Sequence, residues 1–173
     1  MVLHKELNFA FSASELDSTL TTLHYDRLSG ALTPLSTISS LRQNEAADGM
    51  GAGEIALSSN GKFVYISNRD ISEPNQNRSS IGVFKIERST GELSCIQHVW
   101  SFGIHPRHFV LHESARLLIV ANKDSNNLVV FQLDDLDLGT IDESSATVYT
   151  TPTLELPTMV LLVDVGSVTA PEN

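Results

Sequence analysis

One stretch of this chain occurs twice. Asn60-Gly61-Lys62-Phe63-Val64-Tyr65-Ile66-Ser67-Asn68-Arg69 is echoed 54 residues later by Ser114-Ala115-Arg116-Leu117-Leu118-Ile119-Val120-Ala121-Asn122-Lys123. Each copy leads into a second apolar run, Ser80-Ile81-Gly82-Val83-Phe84-Lys85-Ile86 and Asn127-Leu128-Val129-Val130-Phe131-Gln132-Leu133. A repeat of about 40–50 residues made of several short strands is the signature of a β-propeller. Rings of this kind close with roughly four to eight blades. At about 50 residues per blade, 173 residues supply about three and a half. The sequence therefore predicts an all-β, partial β-propeller of about three four-stranded antiparallel blades.

The punctuation of the chain fits that reading. Residues 54–58 form a short first strand, Ser59-Asn60-Gly61 is a turn signal, and 62–67 is a second strand rich in β-branched and aromatic residues. A polar loop at 71–79 leads to strands at 81–86 and 93–99, joined by the turn Glu87-Arg88-Ser89-Thr90-Gly91. The next copy runs through 107–111, 117–121 and 128–133, then an acidic, irregular loop, and closes at 147–151. An earlier copy shows strands at 7–13, 19–25 and 32–38 with its first strand missing. Gly30 lies 10 residues beyond Leu20 just as Gly91 lies 10 beyond Ile81. The expectation is one incomplete propeller domain over residues 1–173. Its blade-like repeats fall at about 7–41, 54–103 and 106–152, and a further blade opens at 156–165. Residues 42–53 read as a mobile loop. Core positions include Phe63, Tyr65, Ile81, Val83, Leu118, Val120 and Leu128.

Composition narrows the function classes. The 21 acidic residues outnumber the 11 basic ones, for a net charge of -10. That balance argues against a nucleic-acid backbone as partner, which clustered Lys and Arg would have to neutralise. A few arginines in a cleft can still hold a small anion. The single cysteine, Cys95, forms no internal disulfide and no cysteine metal site, and it fits a reducing compartment. No run approaches the ~20 apolar residues of a membrane span. The start, Met1-Val2-Leu3-His4-Lys5-Glu6, lacks the pattern of a signal peptide. A cytoplasmic location is expected.

Gly53-Glu54-Ile55-Ala56-Leu57-Ser58-Ser59-Asn60-Gly61-Lys62-Phe63-Val64-Tyr65-Ile66-Ser67-Asn68-Arg69 closely resembles a stretch of the seven-bladed β-propeller lactonase family. That family includes the cycloisomerase-type 6-phosphogluconolactonases and the 3-carboxy-cis,cis-muconate lactonizing enzymes. His105-Pro106-Arg107, Leu118-Ile119-Val120-Ala121-Asn122, Glu15-Leu16-Asp17-Ser18-Thr19-Leu20-Thr21 and Gly30-Ala31-Leu32-Thr33-Pro34-Leu35 fit the same pattern. The resemblance covers roughly residues 7–135. It implies a seven-bladed ring in which a glutamate, arginines and a histidine from an earlier blade meet near the central channel. Glu54 and Arg69 fall on the matching glutamate and arginine positions, and Arg107 on the arginine of the Pro-Arg step. The earlier histidine motif precedes this chain, and His4 does not replace it. The implied reaction is hydrolysis of a sugar lactone such as 6-phosphogluconolactone. Glu54 would act as general base, while Arg69 and Arg107 would hold a small anionic lactone or carboxylate and polarise its carbonyl. A muconate-type cyclisation is the alternative within the family. A non-catalytic propeller piece that binds another protein is the alternative outside it.

The residues themselves leave several choices open. A carboxylate beside guanidinium groups can activate water and stabilise an oxyanion, but Glu54 and Arg69 also read as a structural salt bridge between adjacent strands. Arg107 is a substrate anchor or a solvated arginine at a strand start. Glu15 faces the channel or is a solvated loop carboxylate. His105, His108 and His112 read as turn and surface histidines, because their spacing suits no metal site. Asp134, Asp135 and Asp137 lack the glycine and distant glutamate of a calcium loop. Trp100 and Phe102 are expected to pack between blades, and Cys95 to be a buried, inert thiol. No metal or cofactor is implied. Blade faces left uncovered should make the isolated chain prone to self-association, with little lactonase activity of its own.

Overall fold

The computed structural model describes residues 1–150 and 155–163. The described residues form three four-stranded antiparallel sheets, each a simple meander. The first contains β1 (Val2–Leu3), β2 (Phe9–Ser14), β3 (Thr19–Tyr25) and β4 (Leu32–Ser39). The second contains β5 (Met50–Leu57), β6 (Phe63–Asp70), β7 (Ser80–Ile86) and β8 (Leu93–Trp100). The third contains β9 (Pro106–His112), β10 (Leu117–Asn122), β11 (Asn127–Asp135) and β12 (Thr140–Thr150). A single 3₁₀ turn at Glu113–Ala115 joins β9 to β10. Sheet order follows chain order, as blades of a propeller require.

The second sheet is covered on both sides, so its strands are apolar in runs rather than in alternation. Every residue of β6 is buried. Phe63, Tyr65, Ile81 and Val83 pack against Phe109, Leu118, Val120, Val129 and Phe131 of the third sheet. The intervening residues Val64, Ile66, Phe84 and Ile86 pack against Phe11 and Leu20 of the first. Full burial of each such side chain contributes roughly 1.5–3 kcal/mol. Of the anticipated core residues only Leu128 departs, being half-buried, and Val129 takes the inward place.

Polar ties recur from sheet to sheet and explain the repeated Asn. Asn68 Nδ2 donates to the Ser40 carbonyl just after β4, and Asn122 Nδ2 donates to the Ser101 carbonyl just after β8. Each asparagine lies at or near the end of the second strand of one blade and anchors the exit of the blade before it. The glycine turns recur as well. Gly91 and Gly139 sit at φ +75° and +74° in the turn between third and fourth strands. A Cβ at Gly139 would lie 2.5 Å from the Phe63 ring of the neighbouring sheet. Tyr65 Oη donates to the Gly139 carbonyl at 2.7 Å, so ring and hydroxyl both fix that turn.

The structure corrects four local expectations. The first blade does have a first strand: Val2 and Leu3 pair with Phe11 and Ala10. Two residues are too short a run to show a period. The loop expected at 42–53 ends early, because Met50, Gly51 and Ala52 already pair with Asp70, Arg69 and Asn68. The acidic stretch before residue 147 is strand, not loop: β12 starts at Thr140, and bulges absorb its irregular residues. Gln97 of the second sheet holds the Ile141 backbone N–H and C=O, which keeps the strand in line. Residues 155–163 form no strand. The end of the stretch expected to open a further blade, 164–165, lies outside the described residues.

Candidate active site

Glu15, Arg69 and Lys123 occupy one equivalent place in three successive blades. Each follows the residue that pairs with the first residue of strand three, in the pairs Ser14–Thr19, Asn68–Ser80 and Asn122–Asn127. They emerge at the same end of the sheets, where the loops leading into β5 and β9 also arrive.

At that end the first strands bulge. Ala52 pairs with Asn68 and Ile55 with Ile66, so Gly53 and Glu54 share the single partner Ser67. The displaced Glu54 N–H donates to Ser67 Oγ at 2.9 Å. Gly53 has no room for a side chain, since a Cβ would lie 2.5 Å from Ser67 Oγ and 3.4 Å from Arg69 Nε. The third sheet repeats the device. Pro106 pairs with Asn122 and His108 with Ala121, which leaves Arg107 as the extra residue. Bulges bend the strand and re-aim side chains. Here they turn Glu54 toward the third blade and leave Arg107 exposed.

Arg69 is the hub. Its side chain is 5% exposed, and Nη2 contacts Glu15 Oε1 at 2.7 Å and the Ala52 carbonyl at 2.6 Å. Nη1 lies 3.0 Å from His105 Nε2, and His105 Nδ1 lies 2.8 Å from Asp124 Oδ2. Glu15, by contrast, is 62% exposed along its side chain. The hydrogen bond and charge of Arg69 hold its carboxyl below the ordinary glutamate value, and the charge of Arg107 acts in the same sense. Glu15 Oε2 accepts no hydrogen bond among the described residues. Glu54 Oε2 lies 3.6 Å from His108 Nε2. The Val160 N–H donates to His108 Nδ1, which keeps the imidazole proton on Nε2, toward Glu54.

Glu54, Arg69 and Arg107, the expected site residues, all lie in this region. Glu54 and Arg69 form no ion pair, so the salt-bridge alternative gives way to the contacts Glu15–Arg69 and Glu54–His108. The cause is the bulge, which removes Glu54 from register with β6. His105 and His108, read as turn and surface histidines, are members of the cluster. The signal that could have found Glu15 was in the repeat: aligning Ser14, Asn68 and Asn122 puts Glu15 over Arg69. Among the described residues no group of three histidine, cysteine or acidic side chains is placed to hold a metal.

Other expectations shift too. Cys95 is exposed, on the outermost strand of its blade. Trp100 is 44% exposed and lies under the Arg42 guanidinium at 3.7 Å, not between blades. Phe102 is 46% exposed, though its ring leans on Phe131. A cavity of about 370 Å³ bounded by Asn77, Ser79, Trp100, Phe102, Gly103 and Ile104 contains none of the cluster residues. No helix among the described residues is long and apolar enough to cross a membrane.

Known proteins share this architecture and sequence. The chain is 34% identical over 133 residues to a 6-phosphogluconolactonase of Formosa agariphila, which covers 77% of this chain and 35% of that protein. It is 28% identical over 131 residues to the 6-phosphogluconolactonase of Bacillus subtilis, covering 76% and 35%. The crystal structure of a Lactobacillus plantarum protein superposes with a TM-score of 0.73 at 30% identity, over 86% of this chain and 40% of that one. The chain thus spans about a third of the length of the curated relatives it matches. A profile of the family "Lactonase, 7-bladed beta-propeller" matches residues 1–155, and with three stacked blades carrying a carboxylate–guanidinium cluster at one end, this chain belongs to that lactonase family.

Proposed function

We propose that this chain is an arc of a larger propeller and carries part of a site that hydrolyses a phosphorylated sugar lactone of the 6-phosphogluconolactone type. The observation that carries the reading is an exposed carboxylate, Glu15, ion-paired to a buried arginine, with the exposed Arg107 close enough for its charge to act on Glu15. Arg69 keeps Glu15 ionised and aimed. Glu15 accepts a proton from water as that water attacks the lactone carbonyl carbon, and returns the proton to the ring oxygen as the C–O bond breaks. Arg107 takes the anionic group of the substrate, since a guanidinium grips phosphate or carboxylate through two parallel hydrogen bonds. Glu54 stands beside this pair with the His108 Nε2–H facing it at 3.6 Å, a second carboxylate at the same end of the sheets. This division gives Arg69 a holding role in place of direct substrate contact. A small anionic lactone, no nucleic acid and a cytoplasmic setting complete the reading, the last resting on the unpaired Cys95.

The relatives' names favour lactone hydrolysis over muconate cyclisation. The test compares hydrolysis of 6-phosphogluconolactone and unphosphorylated gluconolactone by a complete propeller that carries this arc, as wild type and as Arg107→Ala. The expected result is a loss confined largely to the phosphorylated substrate, at least tenfold in kcat/KM (about 1.4 kcal/mol). Equal rates for wild type and variant on both substrates would refute the assignment.

A further inference from the structure

Behind Glu15 and Arg69 stands a group whose two neighbours leave it only one useful form. His105 lies at φ +62°, a left-handed conformation that residues other than glycine seldom adopt, on the step from the second blade into β9. Its ring is gripped on both sides. Nδ1 faces Asp124 Oδ2 at 2.8 Å, and a carboxylate can only accept. Nε2 faces Arg69 Nη1 at 3.0 Å, and a guanidinium can only donate. The proton therefore belongs on Nδ1 and the lone pair on Nε2. Asp124 is itself fixed: Oδ1 lies 3.2 Å from Lys123 Nζ, and its N–H donates to the Ile104 carbonyl. The Lys123 N–H donates to the His105 carbonyl, closing the step. A continuous line of contacts thus runs from Asp124 in the third blade through His105 and Arg69 to Glu15 in the first.

We infer that His105, oriented by Asp124, is a positioning residue that holds the Arg69 guanidinium at the angle from which Nη2 meets Glu15. The inference rests on the reading of Glu15 as the working carboxylate. The chemistry of the contact explains why an imidazole stands there. A cation would repel Arg69. A second carboxylate would compete with Glu15 for the guanidinium charge. A neutral acceptor satisfies Nη1 and leaves that charge to Glu15. Burial pushes the imidazole below its ordinary value against the pull of Asp124, with Arg69 and Lys123 acting in the same sense as burial, so the neutral form is favoured. Protonation would place a second cation 3.0 Å from Arg69, with Glu15 on the far side of the guanidinium.

The test reads the tautomer and the carboxyl directly, by NMR of the 15N-histidine- and 13C-glutamate-labelled chain. In wild type at neutral pH the His105 proton is expected on Nδ1, and Glu15 should titrate below an ordinary glutamate. In Asp124→Ala and His105→Ala the Glu15 titration should move up toward the ordinary value, and His105→Gln, whose amide oxygen can accept from Arg69, should restore part of the difference. A role limited to stability would alter melting without moving that titration. His105 protonated on Nε2 in wild type, or an unchanged Glu15 titration in folded Asp124→Ala and His105→Ala, would overturn the inference. If the variants fail to fold, the wild-type tautomer alone decides. Lactone turnover about tenfold lower in Asp124→Ala would extend the role to catalysis. Absent turnover in a complete propeller that carries this arc, with the expected spectra, would remove the hydrolytic reading and leave the positioning of Glu15 supported.

Discussion

Replacing Asp70 with asparagine should cost stability at neutral pH and progressively less in acid. Asp70 follows Arg69 at the end of β6, and its carboxylate is completely buried. Burial alone would raise its pKa, but hydrogen bonds outweigh it. Oδ1 accepts from the Ser72 hydroxyl and N–H, Oδ2 accepts from the Gln76 and Arg78 N–H groups at 2.9 and 3.0 Å, and the pKa falls to about 2. These bonds wind the 71–79 loop around one anion. A carboxyl depressed from 3.8 to about 2 contributes about 2 kcal/mol at neutral pH. Because the folded value lies below the unfolded one, that contribution is complete above pH ~4.5 and disappears as pH falls through ~2. In Asp70→Asn an amide NH₂ must face donors that had an acceptor, which adds about 1–3 kcal/mol per orphaned donor. Urea unfolding of both proteins at pH 7 and pH 3 measures the difference. The ionisation part of the gap should shrink by roughly half at pH 3. A gap that is the same at both pH values would show that Asp70 does not fold the loop as a carboxylate.

Other expected outcomes are as direct. Gly139→Ala forces a methyl into the Phe63 ring at a positive φ and should destabilise by about 2–4 kcal/mol, seen as a lowered urea midpoint; an unchanged midpoint would mean that the second and third sheets do not pack as described. Glu54→Gln should leave the depressed Glu15 titration essentially in place by 13C NMR, because Arg69 already pairs with Glu15; a Glu15 that titrates as an ordinary glutamate in wild type and falls only in Glu54→Gln would restore the Glu54–Arg69 couple. Val110, Ile119 and Val130 lie side by side on the half-buried face of the third sheet away from the second. Sedimentation should show self-association of the chain that Ile119→Lys reduces, and a monomer indifferent to that change would exclude this face as the contact.

The strands were legible where the repeat supplied two copies to compare. The β6 and β10 runs, with their shared Asn, and the third strands that follow could be placed within three residues at each end, because burial on both faces demands continuous apolar sequence. Elements without such a signal were missed: β1 is two residues long, and β12 hides its pairing behind bulges and acidic residues. At the candidate site, the contacts between side chains were less legible than the residues themselves. A turn-joined pair of strands suggests that Glu54 and Arg69 meet, but one inserted residue redirects Glu54, and a bulge leaves no mark in composition. Arg69 instead reaches sideways to the blades on either side, where equivalent positions come together around the axis. The places of His105 and His108 were hidden for the same reason, since each meets a side chain of the second blade, Arg69 and Glu54.

Turnover of 6-phosphogluconolactone by a complete propeller that carries this arc, as wild type, Glu15→Gln and Arg107→Ala, with folding of each checked by circular dichroism, tests the central claim most directly. The claim is that a carboxylate of one blade and an arginine two blades on form one site through Arg69. Glu15→Gln should lower kcat by about 10²–10⁴-fold with KM little changed, and Arg107→Ala should act mainly by raising KM. A Glu15→Gln protein that is folded and as active as wild type would contradict the account and return the search for the base to Glu54.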